Sequence, residues 1–115
     1  MTPQQIIDGM QQKNRELSMK NDELPELAEN MAQAERDYNV AYARKLLELK
    51  SDGMSVTLSK DLAKGDKYIA DLLFTYRVAE AVYDSAKKKI HSLVIHIDTY
   101  RSLLSWQKQE MGKTV

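Results

Sequence analysis

The chain has 115 residues, 43% of them hydrophobic and 30% charged, which suffices for one core and not for several. Seventeen basic and seventeen acidic side chains cancel, so no overall field draws the protein to nucleic acid or to an anionic surface. Cysteine is absent, which excludes disulfides, thiolate metal sites and cysteine nucleophiles, and no apolar run approaches the roughly 20 residues that span a bilayer.

The charge is unevenly placed. Residues 1–37 hold four basic and eight acidic side chains, leaving thirteen and nine for residues 38–115, an asymmetry that favours packing one half beside the other. The opening Met1-Thr2-Pro3-Gln4-Gln5 lacks the basic and apolar regions of a secretory signal, and a cytoplasmic protein is expected.

Thr2-Pro3-Gln4-Gln5 reads as a helix start, with Thr2 and Gln5 able to satisfy each other's amides and Pro3 in the first helical position. Ile6, Ile7, Met10, Asn14 and Leu17 then follow a three-to-four spacing, a thin stripe containing Gly9. Pro25 predicts a break, so that a first helix covers about 3–20 and a second, capped by Asp22, covers about 24–51. The stripe of the second is Leu24, Leu27, Met31, Ala34, Tyr38 and Ala41, moving to Tyr42, Leu46 and Leu49.

Asp52-Gly53 is a stop signal, glycine being free to take a left-handed cap. Residues 52–66 are expected to form an ordered corner. Thr57 or Ser59 would cap a short turn ending at Gly65, with Val56, Leu58 and Leu62 tucked beneath it. Asp66 caps the last helix, about 67–111. Counting three and four from Ile69 gives Leu72, Tyr76, Ala79, Tyr83, Ala86, Ile90, Leu93, Ile97, Tyr100 and Leu104, all apolar or aromatic. A repeat this long predicts a seam buried against another helix.

At 1.5 Å per residue the last helix spans roughly 65 Å, matching the first two laid end to end. The expected architecture is all-α, one helical domain over 1–115. It is a coiled-coil-like antiparallel hairpin with a first arm broken at Pro25 and one long C-terminal helix. A three-helix bundle, folded back at Pro25, is the alternative. Phe74, Val78, Ala81, Ile95 and Trp106 lie outside the seam, which points to a protein-interaction surface and to a homo-oligomer.

No catalytic constellation is recognisable, and the chain is expected to be neither an enzyme nor a cofactor or metal protein. His91 and His96 stand five apart, about 140° around a helix, so they cannot jointly hold an ion from one face. The serines of the long helix have no strained turn or oxyanion donors, and the four glycines form no phosphate-binding loop. Arg44, Lys45, Lys60 and Lys64 near the corner, with the run Lys87-Lys88-Lys89, are candidate phosphate contacts. Glu48, Asp52, Asp61 and Asp66 dilute them, and direct nucleic-acid binding is not favoured.

The Glu35-Arg36-Asp37-Tyr38 and Leu46-Leu47-Glu48-Leu49-Lys50 stretches, the Gly53…Thr57…Asp61-Leu62-Ala63-Lys64-Gly65 corner and the Arg101-Ser102-Leu103-Leu104-Ser105-Trp106 end carry a resemblance. Over about two-thirds of the chain, residues 35–110, it resembles small helical proteins of phages and prophages of Gram-positive bacteria. That likeness transfers no functional residue. It implies the host bacterial cytoplasm, and together with the apolar surface beyond the seam and the lack of a reactive constellation it leads to the expectation of a non-enzymatic protein that oligomerises and binds a host or phage protein, as a modulator or inhibitor. The alternatives are an accessory factor for replication or recombination and a structural virion component.

Overall fold

The computed structural model describes residues 1–113, which form three helices: α1 (Pro3–Ser51), α2 (Val56–Gly65) and α3 (Lys67–Lys113). The capping box at the start of α1 is formed as expected. The Thr2 hydroxyl accepts from the Gln5 amide at 3.1 Å, and the Gln5 side chain accepts from the Thr2 amide at 2.9 Å, so two amides left over at the helix start are satisfied.

The expected break at Pro25 does not occur: α1 runs through it. Proline removes the bond from residue 25 to the Asn21 carbonyl, but Pro25 and Asn21 both face solvent, where water can take the freed oxygen. The seam stays in phase across the site. Ile6, Met10, Lys13, Leu17, Lys20, Leu24, Leu27, Met31, Ala34, Tyr38, Ala41 and Lys45 alternate steps of four and three, and all are buried or half-buried. Apolar packing on both sides of the proline outweighs its local cost of about 3 kcal/mol. The three-helix alternative, which needs a reversal there, is not adopted.

Two details of that stripe differ from expectation. Asn14 is exposed and Lys13 takes the seam position, laying its methylenes along the apolar strip while its ammonium reaches Glu16 at 3.7 Å. Lys20 repeats this device with Glu23 at 3.2 Å.

At the other end of α1, Gly53 adopts φ 87°. Its amide donates to Lys50 O at 3.0 Å and the Met54 amide to Leu49 O at 3.2 Å, the paired bonds of a Schellman cap. Ser55, rather than Thr57 or Ser59, caps α2 by accepting from the Leu58 amide at 3.2 Å. That earlier start turns Ser59 and Ala63 inward, both fully buried, and leaves Val56, Leu58 and Leu62 exposed rather than tucked under the corner. Small side chains at an i, i+4 pair let α2 lie close to its neighbours. Asp66 caps α3 by accepting from the Ile69 amide at 3.2 Å, and α3 has no interruption. All eleven seam residues from Ile69 to Leu104 are buried or half-buried.

The chain divides into two compact units, Met1–Pro25 with Ser85–Val115, and Glu26–Asp84. In the first, Ile6, Ala86, Leu93 and Ile97 are buried. The Gln107 amide nitrogen donates to Met1 O at 2.8 Å, and the Tyr100 ring lies against Gly9, so the two helical stretches run antiparallel. In the second, Leu49, Ser59, Ala63 and Ile69 are buried. Lys45 approaches Asp66 at 3.9 Å, and Glu35 is close enough to Tyr76 to affect its ionisation, again an antiparallel pairing. The architecture is the all-α helical hairpin.

Gly9 is a hole rather than a weakness. A Cβ there would stand 2.7 Å from the Tyr100 ring, inside any permissible contact. Gly9→Ala is therefore expected to lower stability by about 1–3 kcal/mol despite alanine's better helix propensity, with strong coupling to Tyr100→Ala in a double-mutant cycle read by denaturant melts. Pro25→Ala should act oppositely. Restoring one helical bond at an exposed position is expected to add about 1–3 kcal/mol with no change in helix content by circular dichroism.

Candidate interaction surfaces

The helical wheel of α3 is partitioned. With Ile69 as position a, the seam occupies a and d, and the flank of e and b takes most of the charge. In the unit of residues 26–84 that flank carries Arg77, Glu80 and Asp84, while on the opposite c, f and g positions, beyond Lys67 and Asp71 at the helix start, stand Phe74, Val78, Ala81 and Val82. All four are exposed, Phe74 at 71% and Val78 at 46%. In the other unit the division is weaker, since Lys88, Lys89 and Glu110 fall at f and g. Lys87, Asp98, Arg101 and Lys108 lie on the charged flank, and Ile95, Leu103 and Trp106 on the other, Trp106 at 60% exposure. The two groups of predicted interaction residues thus belong to different compact units, each exposed within its own.

A second apolar feature lies on α1 and the start of α3, within the unit of residues 26–84. An open groove of roughly 670 Å³ has Val40, Ala41, Tyr68, Ile69 and Leu72 as its apolar and aromatic lining. Its rim is charged. Lys45 is engaged within the chain, to Glu48 at 3.8 Å and Asp66 at 3.9 Å. Asp37 accepts from the Gln33 amide at 2.9 Å, and Arg44 has no ion pair among the described residues. Leu47, one heptad beyond Val40, is 67% exposed. The expected interaction set omits Val40, Leu47 and Tyr68. For Val40 and Leu47 the signal is the spacing of seven on the flank of the α1 stripe.

Arg44, Lys45, Lys60 and Lys64 belong to the unit of residues 26–84, whereas Lys87, Lys88 and Lys89 belong to the other. Lys88 and Lys89 interrupt the uncharged face of α3, at positions f and g. His91 and His96 are exposed, and among the described residues no three potential ligands gather for a metal ion. The buried hydroxyl of Ser59 has no hydrogen-bond partner.

The ionisation of Tyr76 is displaced. Burial, a hydrogen bond to Glu80 at 3.2 Å and the negative charges of Glu35 and Glu80 push its pKa above 10.0, against the opposing pull of Arg77. The Arg77 guanidinium sits 5.3 Å from the ring centroid and pairs with Glu80 at 3.1 Å. This is a seam tyrosine with its hydroxyl at the rim, a packing arrangement.

The chain matches no protein-family model, no curated protein and no solved structure.

Because the folded state holds the Tyr76 proton more tightly, its contribution to stability is complete below pH 10 and is lost as pH rises beyond it, where the unfolded chain ionises first. Tyr76→Phe is expected to flatten that part of the alkaline decline, measured by thermal melts across the range.

Proposed function

We propose that this chain is a non-enzymatic interaction protein of a phage or prophage. On this reading it self-associates and uses the uncharged face of α3 to bind a host or phage protein, as a modulator or inhibitor. The observation that carries the reading is the partition of α3. A solvated helix outside its seam would spread charge over every outward position, and here Phe74, Val78, Ala81 and Val82 form a continuous exposed strip beside a charged one. A two-helix hairpin can cover one face of each arm, so the remaining apolar strip is available to another chain. Phe74 and Trp106 are the anchors of largest area, one in each unit.

A nucleic-acid accessory role has less support. Lys60 and Lys64, one turn apart on α2, and Arg44 remain exposed, but Lys45 is engaged by Glu48 and Asp66 within the chain. Salt-dependent mobility shifts would separate that role from the first.

Affinity capture from host or infected lysate is expected to recover a protein with the wild-type chain and to lose it with Phe74→Ser/Val78→Ser, while circular dichroism stays unchanged. Equal recovery by both would remove the α3 face from the reading. A strictly monomeric chain that captures nothing would remove the reading itself.

A further inference from the structure

Resting on self-association as proposed above, we infer that the groove on α1 is the contact for a second copy of this chain, packed antiparallel, α1 on α1, about a two-fold axis passing between Val40 and Ala41. Charge complementarity favours this occupant. Asp37 and Arg44 share one face of α1 and lie on either side of Val40 and Ala41. Seven residues place them roughly 10.5 Å apart along the helix, too far to pair with each other. The remaining rim cation, Lys45, is already held by Glu48 and Asp66. What is left unmatched is one anion and one cation, symmetric about the middle of an apolar lining.

A two-fold contact is isologous, so a residue i meets j and j meets i. An axis at the midpoint sets Asp37 of each copy beside Arg44 of the other, making two equivalent ion pairs from one exposed pair. Val40 and Ala41 then meet near the axis, where small side chains allow close approach. Leu47, two-thirds exposed, comes down on the stretch of the second copy around Ala34. A strongly cationic or anionic partner fits less well, because the rim carries both signs. The Phe74 strip on α3 stays free for a different protein.

The test is charge reversal in the full chain, with the dimer dissociation constant read by analytical ultracentrifugation. Asp37 and Arg44 are both exposed, so the fold, monitored by circular dichroism, is expected to hold. Asp37→Arg and Arg44→Asp should each weaken dimerisation by roughly tenfold, since each sets two like-charged pairs together. The double variant Asp37→Arg/Arg44→Asp should return it to the wild-type value. Dimers indifferent to the single reversals, or double variants no tighter than the single ones, overturn this contact while leaving the interaction role intact. Loss of the captured partner with self-association unchanged gives the groove to that partner, and also overturns it. A wild-type monomer overturns both the contact and the self-association it rests on.

Discussion

Two helices that each carry a narrow apolar strip can bury those strips against each other, and nothing else in the chain is large enough to cover what remains. This limit governs the rest of the molecule. In a thicker fold a residue such as Phe74 or Leu47 would find a third layer. Here neither finds one, and both side chains stay exposed. The seam itself is slender, with alanine at positions 34, 41, 79 and 86 and lysine stems at 13, 20 and 45, so the arms are not forced apart. The lysines also explain why a chain with 30% charged residues still closes a continuous interface. Their methylenes cover apolar surface and their ammonium groups leave sideways to glutamates three residues on.

Most of the fold is readable from the chain because it rests on strong periodic or capping signals. The three-four repeat from Ile69 to Leu104, the Thr2–Gln5 box, the Gly53 stop and the Asp66 cap each involve neighbours within one heptad. The misreadings concern effects that local pattern does not contain. At Pro25 the pattern shows a local cost, about 3 kcal/mol in a helix interior, and not the stabilisation from Leu24 and Leu27 packing on either side. Lysine reads as polar although its stem is mostly hydrocarbon, which favours Asn14 over Lys13 on paper and the reverse in the fold. At the corner, hydropathy alone sends Val56, Leu58 and Leu62 inward. The helix turns instead on Ser55, which puts the small residues Ser59 and Ala63 inside.

The interaction residues divide in the same way. Phe74, Val78, Ala81, Ile95 and Trp106 are identifiable as seam outsiders, which needs only a wheel. The groove that joins Val40 to Tyr68 emerges only when two helices are placed side by side, since a groove is a property of a pair.

The meeting of Gly9 and Tyr100 has a further consequence. A heptad repeat is nearly indifferent to sliding, because a shift of seven residues returns apolar positions to apolar positions and sacrifices only the packing at the two ends. Most of the seam would tolerate such a slip. Tyr100 would not. Moved by one heptad it would meet Thr2 or Glu16, and both carry the side-chain atoms that its ring requires to be missing. A single absent methyl group thus acts as a vernier mark, selecting one alignment of two otherwise interchangeable rulers.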